Sequence, residues 1–241
     1  SLFERLILTE RAAQRTDFIG ILRKQGRMHP DIAAFPNAYF YAREQLECVP
    51  LEHQMELKLP YNEESEDAID DFLKAHRMIF IPSKSCRQAN ISEKVNTEEA
   101  HIVADLVRRL HRQMGKTFDA QKSIGIIVPY RNQIAMIRKE LEQLHLSEIE
   151  KISIDTVERY QGSQRDVIIY SFTIQNRFQL EFLTANTFVE DGKAIDRKLN
   201  VAITRARKQL ILTGNEATLR QNQLFSELID YIKRKDGRLV L

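Results

Sequence analysis

The sequence predicts an α/β fold, a mainly parallel sheet covered by helices on both sides. Three observations carry this. Short apolar runs rich in Ile and Val recur along the chain, and they lack the strict alternation of a half-exposed strand. Amphipathic stripes of helical period lie between them.

The predicted strands are Met78 to Ile81, Ile124 to Val128, Val167 to Phe172 and Leu210 to Leu212. Each is too short for a helix and apolar throughout, as expected of strands buried on both faces. From Thr97 to Met114 the apolar residues Val103, Leu106, Val107, Leu110 and Met114 form one helical stripe. Asn96 followed by Glu99 resembles a capping signal at its start. A second stripe runs through Ile134, Ile137, Leu141 and Leu144. The whole, residues 1–241, reads as a single domain.

Three stretches read as irregular or peripheral. Within residues 42–76, YNEESEDAIDD holds six carboxylates in eleven residues and reads as a solvated surface insertion. Residues 174–194 read as a long loop, because polar residues interrupt any periodicity. From Lys193 onward Lys and Arg number eleven against five Asp and Glu. This makes residues 216–236 a predicted basic helix, read either as an ordinary exposed face or as a nucleic-acid edge.

Composition narrows the class. The chain has 241 residues, 43% of them hydrophobic, enough to bury a core without disulfides or metals. A formal charge of +2 gives no strong global field toward nucleic acid or membrane. Apolar runs such as Ile124 to Pro129 fall far short of the ~20 residues of a membrane span, and charges interrupt the first fifteen residues. Cys48 and Cys86, far apart and outside any CxxC, fit a reducing, cytoplasmic setting.

Several apparent motifs fail on spacing. Gly115-Lys116-Thr117 resembles the end of a phosphate-binding loop, but Leu110 stands where that motif needs its first Gly. It also ends a predicted helix, where the real motif begins one. The six histidines make no HExxH or HxxxH spacing, so no metal site is expected. No GxSxG nucleophile turn is present.

Three stretches remain: Gln25-Gly26-Arg27-Met28-His29-Pro30 followed by Phe35-Pro36-Asn37 and Tyr39-Phe40-Tyr41, then Ile152 to Ile169 (ISIDTVERYQGSQRDVII), then Leu199 to Arg207 (LNVAITRAR). Each sets Arg, Gln, Thr or Gly beside a predicted element, and a polar cluster at the carboxyl end of a strand is where open α/β sheets place ligands. Arg suits bidentate contact with phosphate, yet taken alone Arg205 reads first as a salt-bridging surface residue, and Arg27 has the same alternative. On a helix Arg205 and Arg207 cannot share a face, so one would meet solvent. Thr156 follows a short strand; it reads as a phosphate contact or as a helix N-cap. Gln161-Gly162 reads as a close approach of backbone to a ligand or as a plain turn.

In order and spacing these stretches resemble the motifs of superfamily 1 helicases of the Upf-like branch. The family pattern runs LFERL, QYRMHP, FPxxFY, a strand ending in PY, TVExxQGxExDVII and LNVAxTRAR. Here stand SLFERL (1–6), QGRMHP (25–30), FPNAYFY (35–41), IIVPYRNQ (126–133), TVERYQGSQRDVII (156–169) and LNVAITRAR (199–207). No one of them is specific alone; the specificity lies in all six falling in sequence over residues 1–215.

The resemblance implies a RecA-like three-layer fold without its own phosphate-binding loop, the second motor domain of an ATP-dependent helicase. ATP and Mg²⁺ would be held by a first RecA-like domain of the same parent chain, and single-stranded DNA or RNA would be the track. By resemblance, Arg27 and Arg205 are catalytic arginine fingers. Gln161, Gly162 and Gln164 face the nucleotide, with Gln164 standing where the family has Glu. Thr156, Pro129 and Tyr130 line the nucleic-acid path, Tyr130 reading equally as packing. Gly26 replaces a family Tyr that packs on the base, which implies weaker discrimination among nucleotides. Two rivals stand beside this reading: a nucleotide- or nucleic-acid-binding module without motor activity, and a structural α/β interaction domain.

Overall fold

The structure, a computed structural model, describes residues 2–86, 92–190 and 192–241. Its strands are β1 (Lys24–Gln25), β2 (Glu47–Cys48), β3 (Met78–Pro82), β4 (Ile124–Val128), β5 (Ser153–Thr156), β6 (Arg165–Ser171), β7 (Thr187–Glu190), β8 (Lys193–Asp196) and β9 (Ala206–Gly214). Five of them form one all-parallel sheet in the order β3-β9-β6-β4-β5. The helices are α1 (Leu2–Ala12), α2 (Pro30–Tyr39), α3 (Glu52–Met55), α4 (Ala68–Ala75), α5 (Thr97–Met114), α6 (Arg131–Glu142), α7 (Arg177–Leu183), α8 (Arg197–Ile203), α9 (Glu216–Leu219) and α10 (Gln223–Lys233).

The apolar runs lack alternation because both faces of the sheet are covered. Phe80, Ile127, Ile168, Tyr170, Leu210 and Leu212 enter a core with α2, α8 and α10. Their strand neighbours Ile79, Ile81, Ile126, Val128, Ile169 and Ile211 enter the opposite core with α5 and α6. Successive residues of a strand point to opposite faces, so a strand between two helix layers must be apolar at every position. This is an α/β fold in three layers.

The helix over Thr97–Met114 has the bounds its stripe predicts, and Asn96 caps it by accepting from the Glu99 N–H at 3.1 Å. Gly115 closes it at φ +52°, and Gly115–Thr117 is a single 3-10 turn. Strands β6 and β9 begin before their apolar runs, at Arg165 and Ala206, which face each other across the ladder. Backbone pairing continues there past the edge of the apolar core, where side-chain hydropathy gives no signal.

Three expectations are corrected. The acidic stretch is not simply solvated. Asp67 caps α4, and Asp70 is fully buried, bonded to Arg109 Nη1 at 2.9 Å and paired with Arg112. Arg109 also takes Asp67 at 2.8 Å, so guanidiniums of α5 clamp α4 through carboxylates that look free in sequence. The 174–194 stretch holds α7, capped by Asn176 and anchored by buried Leu180 and Leu183, and the antiparallel β7–β8 pair. Two apolar anchors are too few to show a helical period. The 216–236 stretch is two helices, because Asn222 caps α10 after α9 has ended. Its charge is partly neutralised at home: Arg220 pairs with Glu216 at 2.9 Å and Asp230 at 2.8 Å, and Arg238 with Glu216 at 2.8 Å.

No helix among the described residues is long and apolar enough to cross a membrane.

Candidate functional site

The candidate residues gather at two opposite ends of the sheet. At the amino ends of β6 and β9, Arg27 and Arg205 come to one place. Arg27 leaves β1 on a segment shaped by Gln25, whose side-chain carbonyl accepts from the N–H groups of Arg27 (2.9 Å) and Met28 (2.8 Å). His29 N–H donates to the Arg207 carbonyl at 2.8 Å, which ties this segment to the start of β9. Arg27 then donates from Nε to Gln164 Oε1 and from Nη1 to the Thr204 carbonyl, both at 3.0 Å.

Arg205 stands between the end of α8 and the start of β9. Its Nε donates to the Val201 carbonyl at 3.0 Å, and its Nη1 and Nη2 donate at 3.4 Å to the Ser163 carbonyl and the Thr204 hydroxyl. Thr204 thus contacts both guanidiniums. Neither has a carboxylate partner among the described residues, and both are half-buried. Burial lowers the pKa of Arg27, and burial together with the positive charge of Arg27 lowers that of Arg205. Two half-desolvated cations that repel each other, with no anion to balance them, favour an incoming polyanion.

Arg207 is different. It lies on β9, not on a helix, and its Nη1 binds Asp166 at 2.7 Å, so of the two TRAR arginines only Arg205 lacks an acidic partner. The expected carboxyl-end location is also corrected for this cluster. Arg205 and Gln164 immediately precede Ala206 and Arg165, the first residues of parallel strands, so they occupy the amino-end rim. Gln161 and Gly162 lie in the exposed turn leading to it, Gly162 at φ +87°, a backbone conformation that favours glycine. Gly26 is exposed, and a Cβ there would meet Leu51 Cδ1 at 3.2 Å.

At the carboxyl end, Val128 pairs with Thr156, which sets Pro129 and Tyr130 beside Thr156. Thr156 is the last residue of β5, its N–H donating to Asp155 Oδ1 at 3.1 Å; no helix follows for it to cap. Tyr130 is only 7% exposed, its ring stacked on Phe182 at 5.7 Å and 20°. Of its two readings, packing is the one the contacts describe.

Residues 157–164 join the two rims. They run back along the sheet with Tyr160 buried beneath them, its hydroxyl bonded to Ser153 and packed on Gly125. Arg165 lies over the Tyr160 ring at 5.8 Å. Thr156 and Gln164 are therefore the two ends of one packed segment.

Sequence reasoning missed the polar cluster under the carboxyl-end rim. Glu99 is fully buried and accepts from Ser83 Oγ (3.1 Å), Asn96 Nδ2 (3.2 Å), Ser171 Oγ (2.6 Å) and the Thr173 N–H (2.8 Å). The last bond holds Thr173 at φ +59°, an uncommon conformation for a β-branched residue. Gln133 exchanges two 2.9 Å bonds with the Asn96 backbone, fixing the first turn of α6 just after Tyr130. The Asn96–Glu99 spacing signalled a cap; nothing in it signalled burial.

Burial raises the Glu99 pKa to about 7, against the hydrogen bonds that favour its charged form. The folded protein therefore holds this proton more tightly than the unfolded chain. Stability from this group is complete below pH about 4.5 and is lost as pH rises through 7. The loss is on the order of 3 kcal/mol for such a shift. Denaturation midpoints at pH 5 and 8 check this: wild type should lose more stability than Glu99→Gln, and equal losses would assign the titration elsewhere.

Among the described residues no cluster of His, Cys, Asp and Glu is arranged to hold a metal ion. A family model described as an AAA domain matches residues 1–217. The chain belongs to this family, the C-terminal domain type of Upf-like superfamily 1 helicases. This helicase-type domain is 30% identical over 235 residues to an uncharacterized ATP-dependent helicase of Methanocaldococcus jannaschii, covering 97% of the chain and 31% of that protein. It is 30% identical over 242 residues to regulator of nonsense transcripts 1 of Dictyostelium discoideum, covering 98% of the chain and 16% of that protein. Against helicase SEN1 of Saccharomyces cerevisiae the identity is 28% over 221 residues, covering 88% and 9%. The chain thus spans less than a third of the length of these relatives.

Proposed function

We propose that this domain is the second half of an ATP-driven helicase or translocase. On this reading it supplies Arg27 and Arg205 to ATP bound on a first RecA-like domain of the same protein, and grips single-stranded nucleic acid at its opposite rim. The observation that carries the proposal is the meeting of two half-buried guanidiniums, distant in sequence, with no carboxylate between them.

As the terminal phosphoryl group transfers, negative charge spreads over its oxygens. The fixed N–H groups of a guanidinium stabilise that charge with little reorganisation, an effect on the order of 10³-fold or more in rate. Thr204 holds both groups in place before the nucleotide arrives. Gln164 keeps an acceptor where the family has a carboxylate, and here that acceptor orients Arg27. Domain closure would bring the arginines to the phosphates, and residues 157–164 would carry the change to Thr156. Mg²⁺ would neutralise phosphate charge, with its ligands expected on the other domain.

The full-length protein should hydrolyse ATP faster when single-stranded nucleic acid is added, while this chain alone should show no turnover above background. A steady-state ATPase assay of both decides it. Turnover by the chain alone would reject the division of labour, and a full-length protein inert with nucleic acid present would favour the binding-module rival.

A further inference from the structure

The ring presented at the carboxyl-end rim is not Tyr130 but Phe182. Tyr130 is buried; Phe182 lies over it nearly parallel and is itself 51% exposed. Phe178, one turn earlier on α7, is 79% exposed. Ammonium groups lie over this stack: Lys198 Nζ over the Phe182 ring, 5.3 Å from its centre, and Lys94 Nζ over the Tyr130 ring at 6.0 Å. Lys198 also pairs with Glu158 at 2.9 Å, two residues beyond Thr156. These contacts link Glu158, two residues after Thr156, through Lys198 to Phe182, although α7 lies in a stretch that reads as a loop in sequence.

We infer that Phe182 is a base-stacking platform for single-stranded nucleic acid, with Lys198 and Lys94 beside it to meet the backbone phosphates. The inference rests on the proposed strand-binding role of this rim. The half-exposed ring is supported by Tyr130 and carries Lys198 Nζ over it, so a base would stack by displacing that ammonium toward the backbone phosphates. Every base has a π-face, so the contact is indifferent to sequence. The ammonium groups place positive charge where phosphates run, which selects a nucleic-acid strand over a neutral apolar partner. Glu158 opposes this, because it occupies Lys198 and adds a negative charge beside the track.

The experiment uses the full-length protein with oligo-dT and oligo-U, titrated by anisotropy across a salt series. Phe182→Ala should weaken binding roughly 5- to 100-fold. The slope of log K against log salt should not change, since no phosphate contact is lost. Phe182→Trp should retain affinity and show quenching of the added indole when an oligonucleotide binds. Glu158→Gln should tighten binding a few-fold by freeing Lys198. Binding that survives Phe182→Ala unchanged, or that Phe182→Leu retains in full, overturns the platform while leaving the strand-binding reading intact. If wild-type protein binds neither oligonucleotide, it is the underlying reading that fails.

Discussion

Arg205→Ala in the full-length protein should lower ATP turnover on the order of 10³-fold or more while leaving nucleotide affinity within a few-fold. The asymmetry follows from where Arg205 acts. Its guanidinium is held by the Val201 and Ser163 carbonyls and the Thr204 hydroxyl, all neutral, so its charge remains available to a phosphoryl group. Ground-state ATP would be bound mainly by the other domain; the arginine adds most where charge develops. Arg207→Ala is the matched control. That side chain is committed to Asp166 in a partly exposed ion pair, a class of contact worth about 0–1 kcal/mol, and its loss should leave turnover within a few-fold. Near-normal kcat in Arg205→Ala, or an equal loss in Arg207→Ala, would remove the role given to Arg205.

Gly125→Ala should destabilise the domain by about 1–3 kcal/mol and impair turnover from a site far from any ligand. Gly125 lies on β4, between β6 and the edge strand β5. A Cβ there would collide with the Tyr160 hydroxyl and approach Arg165 Cγ at 2.7 Å. The Tyr160 ring would have to lift, and the turn from Gln161 to Gln164 would move with it. Ser163 and Gln164 would then leave Arg205 and Arg27. Adding Tyr160→Phe removes the colliding oxygen, so the double variant should unfold at a higher denaturant concentration than Gly125→Ala alone. Strictly additive losses would show that the ring does not occupy this space.

Much of the fold is legible in the sequence because a sheet between two helix layers must be apolar at successive positions, and Ile124–Val128 and Val167–Tyr170 show that directly. The long helix is equally plain, since eighteen residues give the helical period room to repeat. What escapes is structure held by polar contacts. Asp70 looks solvated until Arg109 and Arg112 reach it from another helix, and Glu99 looks like a cap until Ser83, Ser171 and Thr173 enclose it. The candidate site divides in the same way. The resemblance of their motifs marks Arg27 and Arg205 as candidates, but their meeting at the amino ends of β6 and β9 depends on strand order, which no local pattern states. Phe182 escapes because a seven-residue helix with two buried apolar residues has no readable period.

The convergence of Arg27 and Arg205 on one ligand is tested most directly by a double-mutant cycle on kcat for ATP hydrolysis. Wild type, Arg27→Ala, Arg205→Ala and the double variant are compared in the full-length protein, with folding of each checked by thermal denaturation. Two groups that stabilise the same developing charge act as a unit, so the double variant should lose far less than the product of the two single losses. Losses that multiply cleanly would mean that the two arginines act independently, and the shared site at the amino-end rim would be contradicted.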